Sequence, residues 1–405
     1  MPVKFTPIKG YTTHKFWRAC RGDAQFTLPK QAWAEKLLEM VNRILVAGYY
    51  GFDNGGDELI LFSLLNELKR LNNNIEISVL SRDPSKTGKN YKVKAINRWN
   101  PLSVALAIFH TDLFVFGGGG LLQDLTSSWS IYYYLGLILL AKLFFKKVFL
   151  FSQGVGPIKR RISRKVTGIV LGFVDLITVR DELSKFELER LNKNLSVSIA
   201  PDPVFNLDRF TFRKGVTINE QPAIGVSLQG LGEDERFRET VREICDELVR
   251  KIESKIIFIP FHKLEDLKIS EDIIANRTND YRLFLWQDIE DLFEFYNKID
   301  LILGMRLHSI ILACLLGKPF VAICLPKTHP LYDPKVEGFL ELLDYKAINM
   351  AVPPAEIAGK VQEILANRQK FLERLSPRVA KLRESSRKNI DLMQRILKIY
   401  NGREK

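Results

Sequence analysis

Arg306 and His308 stand two residues apart in DLILGMRLHSIILACLLGKPF, between a buried apolar run and an apolar helical pattern. In an extended junction, residues two apart point the same way, so guanidinium and imidazole can grip one anion at the positive end of the following helix. Packing alone seldom requires two such side chains between apolar elements. Another cation, Arg180, ends the strand in TVRDELS. It serves either as an ion pair with Asp181 at a helix start or as a bidentate ligand for phosphate or carboxylate. A lysine, Lys335, lies in YDPKV just before a predicted helix, a weak motif by itself.

Glycine clusters accompany these groups. In ILVAGYYGFDNGGDELILFSLL, Gly48, Gly51, Gly55 and Gly56 join a strand to a helix opened by Asp57 and Glu58. Such a turn lets backbone approach a ligand and aims helix amides at an anion, or it is simply a tight turn with an acidic cap. It matches neither GxGxxG nor GxxxxGK[ST], which excludes the usual dinucleotide and P-loop signatures. A second strand ends in FVFGGGGLLQD, where Gly117, Gly118, Gly119 and Gly120 form a floor beside Gln123 and Asp124. Asp124 is either a hydroxyl acceptor or a helix cap, and loops at strand ends preferentially carry sites. FSQGVGPIK brings Gln153, Gly154 and Gly156 to the same edge.

The elements that must position these residues alternate between short apolar runs and helical patterns, which implies α/β architecture with parallel sheets. In the first half the pattern predicts strands at 43–47, 75–80, 113–116, 148–151, 176–179 and 197–200, and helices near 57–70, 128–145 and 181–192. The second half restarts with strands at 223–228, 256–260, 283–286, 301–303 and 320–323, and helices near 236–253, 289–298 and 309–316. The division is an N-terminal extension (1–41), two Rossmann-like domains (42–208 and 209–350) facing a cleft, and a helical tail (351–405). The polar stretch after Pro201–Asp202–Pro203 reads as the linker.

A chain of 405 residues exceeds one ordinary core, and 46% hydrophobic with 26% charged residues is a globular composition. The formal charge of +13 favours anionic partners, but no nucleic-acid recognition motif accompanies it. Cys20, Cys245, Cys314 and Cys324 form no CxxC pair, so neither zinc nor a disulfide framework is expected. No apolar leader precedes the first strand, and a cytoplasmic location follows, in solution or peripheral at the membrane face. The long apolar stretch 131–151 is divided by Lys142, Lys146 and Lys147 into a buried helix and a strand, so no transmembrane segment is expected.

GYYGFDNGGDE, FVFGGGGLLQD, FSQGVGP, TVRDELS, the Pro201–Asp202–Pro203 turn, GMRLHS and YDPKV occur in that order across residues 43–343. Together they resemble the polysaccharide pyruvyl transferase family, most closely its bacterial CsaB type. The resemblance implies a fold similar to the GT-B glycosyltransferases, phosphoenolpyruvate as donor, and donor contacts from Arg180, His308 and Lys335. It departs at the longer stretch Cys324 to Tyr332 and does not reach the first 40 residues.

With that donor, Arg180, Arg306 and Lys335 would clamp carboxylate and phosphate, beside Gly55, Gly56, Gly118, Gly119, Gln153 and Gly154. His308 is either the acid that protonates the methylene carbon or a phosphate ligand. The base for a sugar hydroxyl is one of Asp53, Asp57 and Asp124. The acceptor would be a glycan, free or lipid-linked at the inner membrane surface, and no cofactor or metal is expected. The competing readings are a glycosyltransferase using a nucleotide sugar and a basic protein docking on anionic lipid or nucleic acid.

Overall fold

The computed structural model describes residues 43–71, 73–124, 128–207, 221–230, 234–275, 280–329, 332 and 334–397. The expected extension at 1–41 and the expected boundary between 208 and 209 lie outside them. The first half holds β1 (Arg43–Ala47), α1 (Gly55–Leu71), β2 (Glu76–Ser81), α2 (Pro84–Tyr91), β3 (Lys94–Asn97), α3 (Pro101–His110), β4 (Leu113–Phe116) and β5 (Gly119–Leu122). It continues through α4 (Ser128–Leu143), β6 (Lys147–Val155), α5 (Arg161–Leu171), β7 (Leu176–Val179), α6 (Glu182–Leu191) and β8 (Val197–Ile199) to a 3-10 turn at Pro203–Asn206.

The second half runs β9 (Ala223–Ser227), α7 (Glu235–Ile252), β10 (Lys255–Phe258), α8 (Lys263–Ile274), β11 (Tyr281–Leu283), α9 (Ile289–Lys298) and β12 (Leu301–Gly304). Then come α10 (Leu307–Leu316), β13 (Phe320–Cys324), α11 (Pro334–Leu342), β14 (Ile348–Asn349) and three closing helices, α12 (Pro354–Ala366), α13 (Arg368–Ser386) and α14 (Lys388–Leu397).

The strands form two parallel sheets, β3-β2-β1-β4-β6-β7-β8 with β5 beside β6, and β11-β10-β9-β12-β13-β14. Strand order reverses between β1 and β4 and between β9 and β12, and open parallel sheets hold ligands outside the carboxyl ends of strands at such reversals. The loops there are the glycine turn after β1, the Gly117–Gly120 strip after β4 and the Arg306–His308 junction after β12.

Apart from Arg43 at the start of β1, both strands flanking each reversal are buried throughout, as strands covered on two faces must be. One apolar core extends from Ile44 and Leu64 in the first half to Leu292 and Ile310 in the second, so α1 is wedged between the sheets. A separate core lies under α3, α4, α5 and α6 on the outer face of the first sheet. The chain's end returns to the first half. The Asn389 amide donates to Ser152 Oγ at 2.5 Å, and Thr178 Oγ1 donates to Asn389 Oδ1 at 2.8 Å.

Several elements escape the apolar pattern. Helix α2 (PSKTGKNY) carries almost no apolar residues and is held by its ends: Pro84 opens it, and Asp83 accepts from the Lys86 amide at 3.0 Å. Strand β5 is half glycine, so its pairing with β6 could not be read from side chains. The expected strand at 283–286 lies at 281–283 instead, because Trp286 turns inward to donate its indole N–H to Pro260 O.

Candidate functional site

A cavity of about 140 Å³ opens between the two sheets, lined by Asp57, Arg180, Lys335 and His308 with Asn54 and Gln229. The loops around it are laced together across the halves. Gly55 N–H donates to Phe261 O at 2.7 Å, Lys263 N–H donates to Asp53 O at 3.0 Å, and Asn54 pairs with His262.

Four ionisable side chains of the cavity each rest on a glycine backbone. A Cβ on Gly56 would lie 2.4 Å from His308 Nδ1, and one on Gly119 would lie 2.6 Å from Asp57 Oδ1. One on Gly120 would lie 2.9 Å from Lys335 Nζ, and one on Gly154 would lie 2.6 Å from Arg180 Cζ. Real Cβ contacts do not approach so closely, so any larger residue displaces the functional group above it. Gly119 also has φ of +112°, open to glycine alone at little cost.

His308 occupies the second position of α10, and its Nε2 lies 3.1 Å from Asp202 Oδ2. Asp202 is 4% exposed, opens the 3-10 turn and accepts from the Val204 amide through Oδ1. Burial opposes its charge, yet His308, Arg180 and the Val204 amide together hold its carboxyl below the ordinary range. The carboxylate therefore fixes the imidazole, with N–H at Nε2 in the neutral ring, and leaves Nδ1 on the Gly56 side.

Arg180 follows β7 at 7% exposure, bonded through Nε to Asp181 at 3.3 Å. Its Nη2 is buried without a hydrogen-bond partner among the described residues. A buried guanidinium nitrogen left unpaired costs free energy unless something meets it, and an anionic ligand is the natural partner. Asp57 lies in the first turn of α1. Burial raises its carboxyl to about 7, reinforced by Glu58 and partly offset by His308, Lys335 and Arg180. It is therefore poised to exchange a proton near neutrality.

The other expected site residues go elsewhere. Arg306 lines the cavity, but its guanidinium donates to Glu265 at 2.7 Å and to both oxygens of the buried Asp266. These carboxylates outweigh burial and hold its proton more tightly than usual. The expected joint grip of Arg306 and His308 on one anion is not formed. Helix α10 begins at Leu307, so the two residues straddle the change from extended to helical backbone, and although both line the cavity, Arg306 is held by Asp266 and His308 by Asp202.

Asp53, at φ of +58°, pairs with Lys86 and lies 4.0 Å from Lys263, in a neighbouring recess with Trp286. Asp124 accepts from the Lys159 and Arg160 amides at 2.7 and 3.0 Å and holds the chain entering α5. Of the three candidate bases, Asp57 alone lines the cavity. Gln153 donates to Phe116 O and Gly117 O at 3.0 and 2.6 Å, shaping the glycine strip from beneath. Gly118 sits against Ser152 O and Ile60, and Gly55 against Phe261 and Leu292.

Asp202 is the residue that sequence reasoning missed as a functional group. It stands between two prolines after the last strand of its half, a place read as a linker turn, and its partner is 106 positions away. Asn54 and Gln229 were likewise unremarked.

A family model described as polysaccharide pyruvyl transferase matches residues 54–323, a segment holding Asp57, Arg180, Asp202 and His308 and stopping short of Lys335. No curated protein sequence matches the chain. Among solved structures, a putative UDP-N-acetylglucosamine 2-epimerase from Listeria monocytogenes superposes with TM-score 0.60 at 12% identity, over 89% of this chain and 97% of its own. The UDP-GlcNAc 2-epimerase of Neisseria meningitidis, bound to UDP-GlcNAc, gives 0.59 at 12%, over 88% and 100%. A glycosyltransferase from Rickettsia africae gives 0.56 at 16%, over 88% and 99%. At such identities the likeness shows the fold alone: two Rossmann-like domains facing a cleft, of the GT-B kind.

Proposed function

The chain belongs to the polysaccharide pyruvyl transferase family, and from that premise we propose that it transfers the pyruvyl group of phosphoenolpyruvate onto two hydroxyls of a glycan, forming a ketal and releasing phosphate. The observation that carries this reading is the set of four ionisable side chains seated on four glycines around one cavity, with the orphaned Nη2 of Arg180 among them. Phosphoenolpyruvate presents a carboxylate and a phosphate, and Arg180 and Lys335 supply a cation for each. Arg306 contributes by bracing α8 through Asp266 rather than by touching the donor.

The chemistry divides between the halves. His308, oriented by Asp202, delivers a proton to the methylene carbon, and the central carbon becomes electron-poor. Asp57 takes the proton of the first sugar hydroxyl as its oxygen bonds to that carbon. The carbon–oxygen bond to phosphate then breaks, the second hydroxyl adds, and its proton leaves with the phosphate. The methyl group keeps the proton from His308, which the one collected by Asp57 replaces. A raised carboxyl suits Asp57 to this task, since a base working near neutrality should titrate there.

Titration with phosphoenolpyruvate tests the donor site. Arg180→Ala should bind it roughly 10- to 150-fold more weakly, the loss of a charged hydrogen bond of about 1.5–3 kcal/mol. Wild-type affinity in a folded Arg180→Ala protein would remove that residue from the donor site.

A further inference from the structure

Helices α3, α4, α5 and α6 pack side by side over the outer face of the first sheet. The outward faces of α3 and α4 are not those of helices that end at water. On α3 the outward stripe is Leu102, Leu106 and Phe109, at 70, 50 and 54% exposure. On α4 it is Trp129, Gly136, Leu139 and Leu143, without a charge among them. A surface helix ordinarily turns polar residues outward, and large exposed apolar patches mark interaction sites. Among the described residues, the large exposed apolar side chains all lie on this layer or the loops at its ends, except Leu264, Leu285 and Leu342.

Within the layer, α3, α4 and α5 are lopsided in charge, whereas α6 carries Glu182, Glu187 and Glu189 against Lys185 and Arg190. Between Trp99 and Phe173 the chain has eight lysines and arginines against two aspartates, a net of six positive charges out of +13 for the whole. Both aspartates are bonded within the fold, Asp112 to Arg43 at 2.9 Å and Asp124 to the Lys159 and Arg160 amides. Arg161 and Lys165, on the outward side of α5, are exposed beside Ile162 and Ile169.

We propose that this layer docks the protein on the surface of a bilayer containing anionic lipid, its apolar ridge entering the headgroup region and its basic residues meeting lipid phosphates. Apolar stripes interleaved with lysine and arginine are what an anionic lipid surface recognises. Trp99 and Trp129 are 60 and 81% exposed, and tryptophan favours the headgroup level. They stand where α3 and α4 begin, at the carboxyl edge of the sheet, the same edge that bears the cavity. A second copy of the chain fits less well, because a two-fold contact would set one strongly positive face against another. No helix among the described residues is long and apolar enough to cross a membrane, so docking is peripheral.

Flotation of the full-length protein with phosphatidylcholine vesicles, with and without phosphatidylglycerol, decides the matter. Binding is expected only with phosphatidylglycerol and should weaken as salt rises. Leu139→Glu/Leu143→Glu should reduce partitioning at least about tenfold, since it puts charge where apolar area is buried. Arg161→Gln/Lys165→Gln should reduce it roughly 25-fold, about fivefold for each charge removed. Both pairs are solvent-facing, so melting temperature and turnover of a water-soluble acceptor should stay at wild-type values. That readout separates failure of docking from failure of the proposed reaction. Absence of flotation, equal flotation on both vesicle types, or undiminished flotation of both variants would overturn the proposal. So would a dimer in sedimentation that Leu139→Glu/Leu143→Glu converts to monomer.

Discussion

Gly154→Ala adds one methyl group in a strand and leaves every charged residue in place, yet it should cripple the donor site. The new Cβ would stand 2.6 Å from Arg180 Cζ and 2.7 Å from both Nε and Nη2. To regain ordinary contact at 3.4 Å the guanidinium must withdraw by about 0.8 Å. Misplacement of a positioning group by about 1 Å costs on the order of 100-fold, so kcat/KM for phosphoenolpyruvate should fall by about that factor. Stability should change little. Alanine relieves the unfolded-state entropy of glycine by about 0.5–1 kcal/mol, while crowding a guanidinium costs a similar or somewhat larger amount.

The assay is steady-state release of phosphate alongside thermal melting, with Gly136→Ala as control, because nothing lies within 4 Å of a Cβ there. A folded Gly154→Ala enzyme with wild-type kcat/KM would refute the placement of the Arg180 guanidinium against the donor. A loss shared by Gly136→Ala would refute the steric argument.

Asp202→Asn keeps the shape beside His308 but removes the charge that orients it; turnover should fall about 10²–10⁴-fold with donor affinity much less changed, matching His308→Gln. Loss of donor affinity alone would assign both residues to binding. Asp57 gives two linked readings. As a base it must be ionised, so kcat/KM should rise with pH through about 7, a rise that Asp57→Asn abolishes. Its folded pKa is raised from 3.8, so the folded chain binds the proton more tightly than the unfolded chain does, and stability falls as pH rises from about 4 to 7. Asp57→Asn should accordingly stabilise the protein above pH 7, by at most roughly 4 kcal/mol, as denaturant titration at two pH values would show. Destabilisation at both values would contradict the assignment.

Much of the fold is written in local pattern, because buried parallel strands such as LFVF at Leu113–Phe116 must be apolar throughout. Helix α2 is not, since its stability comes from an aspartate cap and a proline rather than an amphipathic face. The site was legible in its glycines, whose clustering at strand ends signals close approach. What each glycine makes room for was not, because His308 over Gly56 and Lys335 over Gly120 are brought together only when the halves meet. The Arg306–His308 pair misled for a local reason, the helix starting at Leu307, two residues earlier than the extended reading assumed. Asp266, the buried partner that claims Arg306, lies in the unremarked α8, 40 positions away.

The central claim is the fate of phosphoenolpyruvate. Phosphorus NMR of the purified protein with phosphoenolpyruvate and a glycan acceptor should show the enol phosphate signal replaced one for one by inorganic phosphate, only with acceptor present, while mass spectrometry shows the acceptor carrying a pyruvate ketal. Phosphate released without an acceptor product, or an acceptor extended only when a nucleotide sugar is supplied, would contradict it.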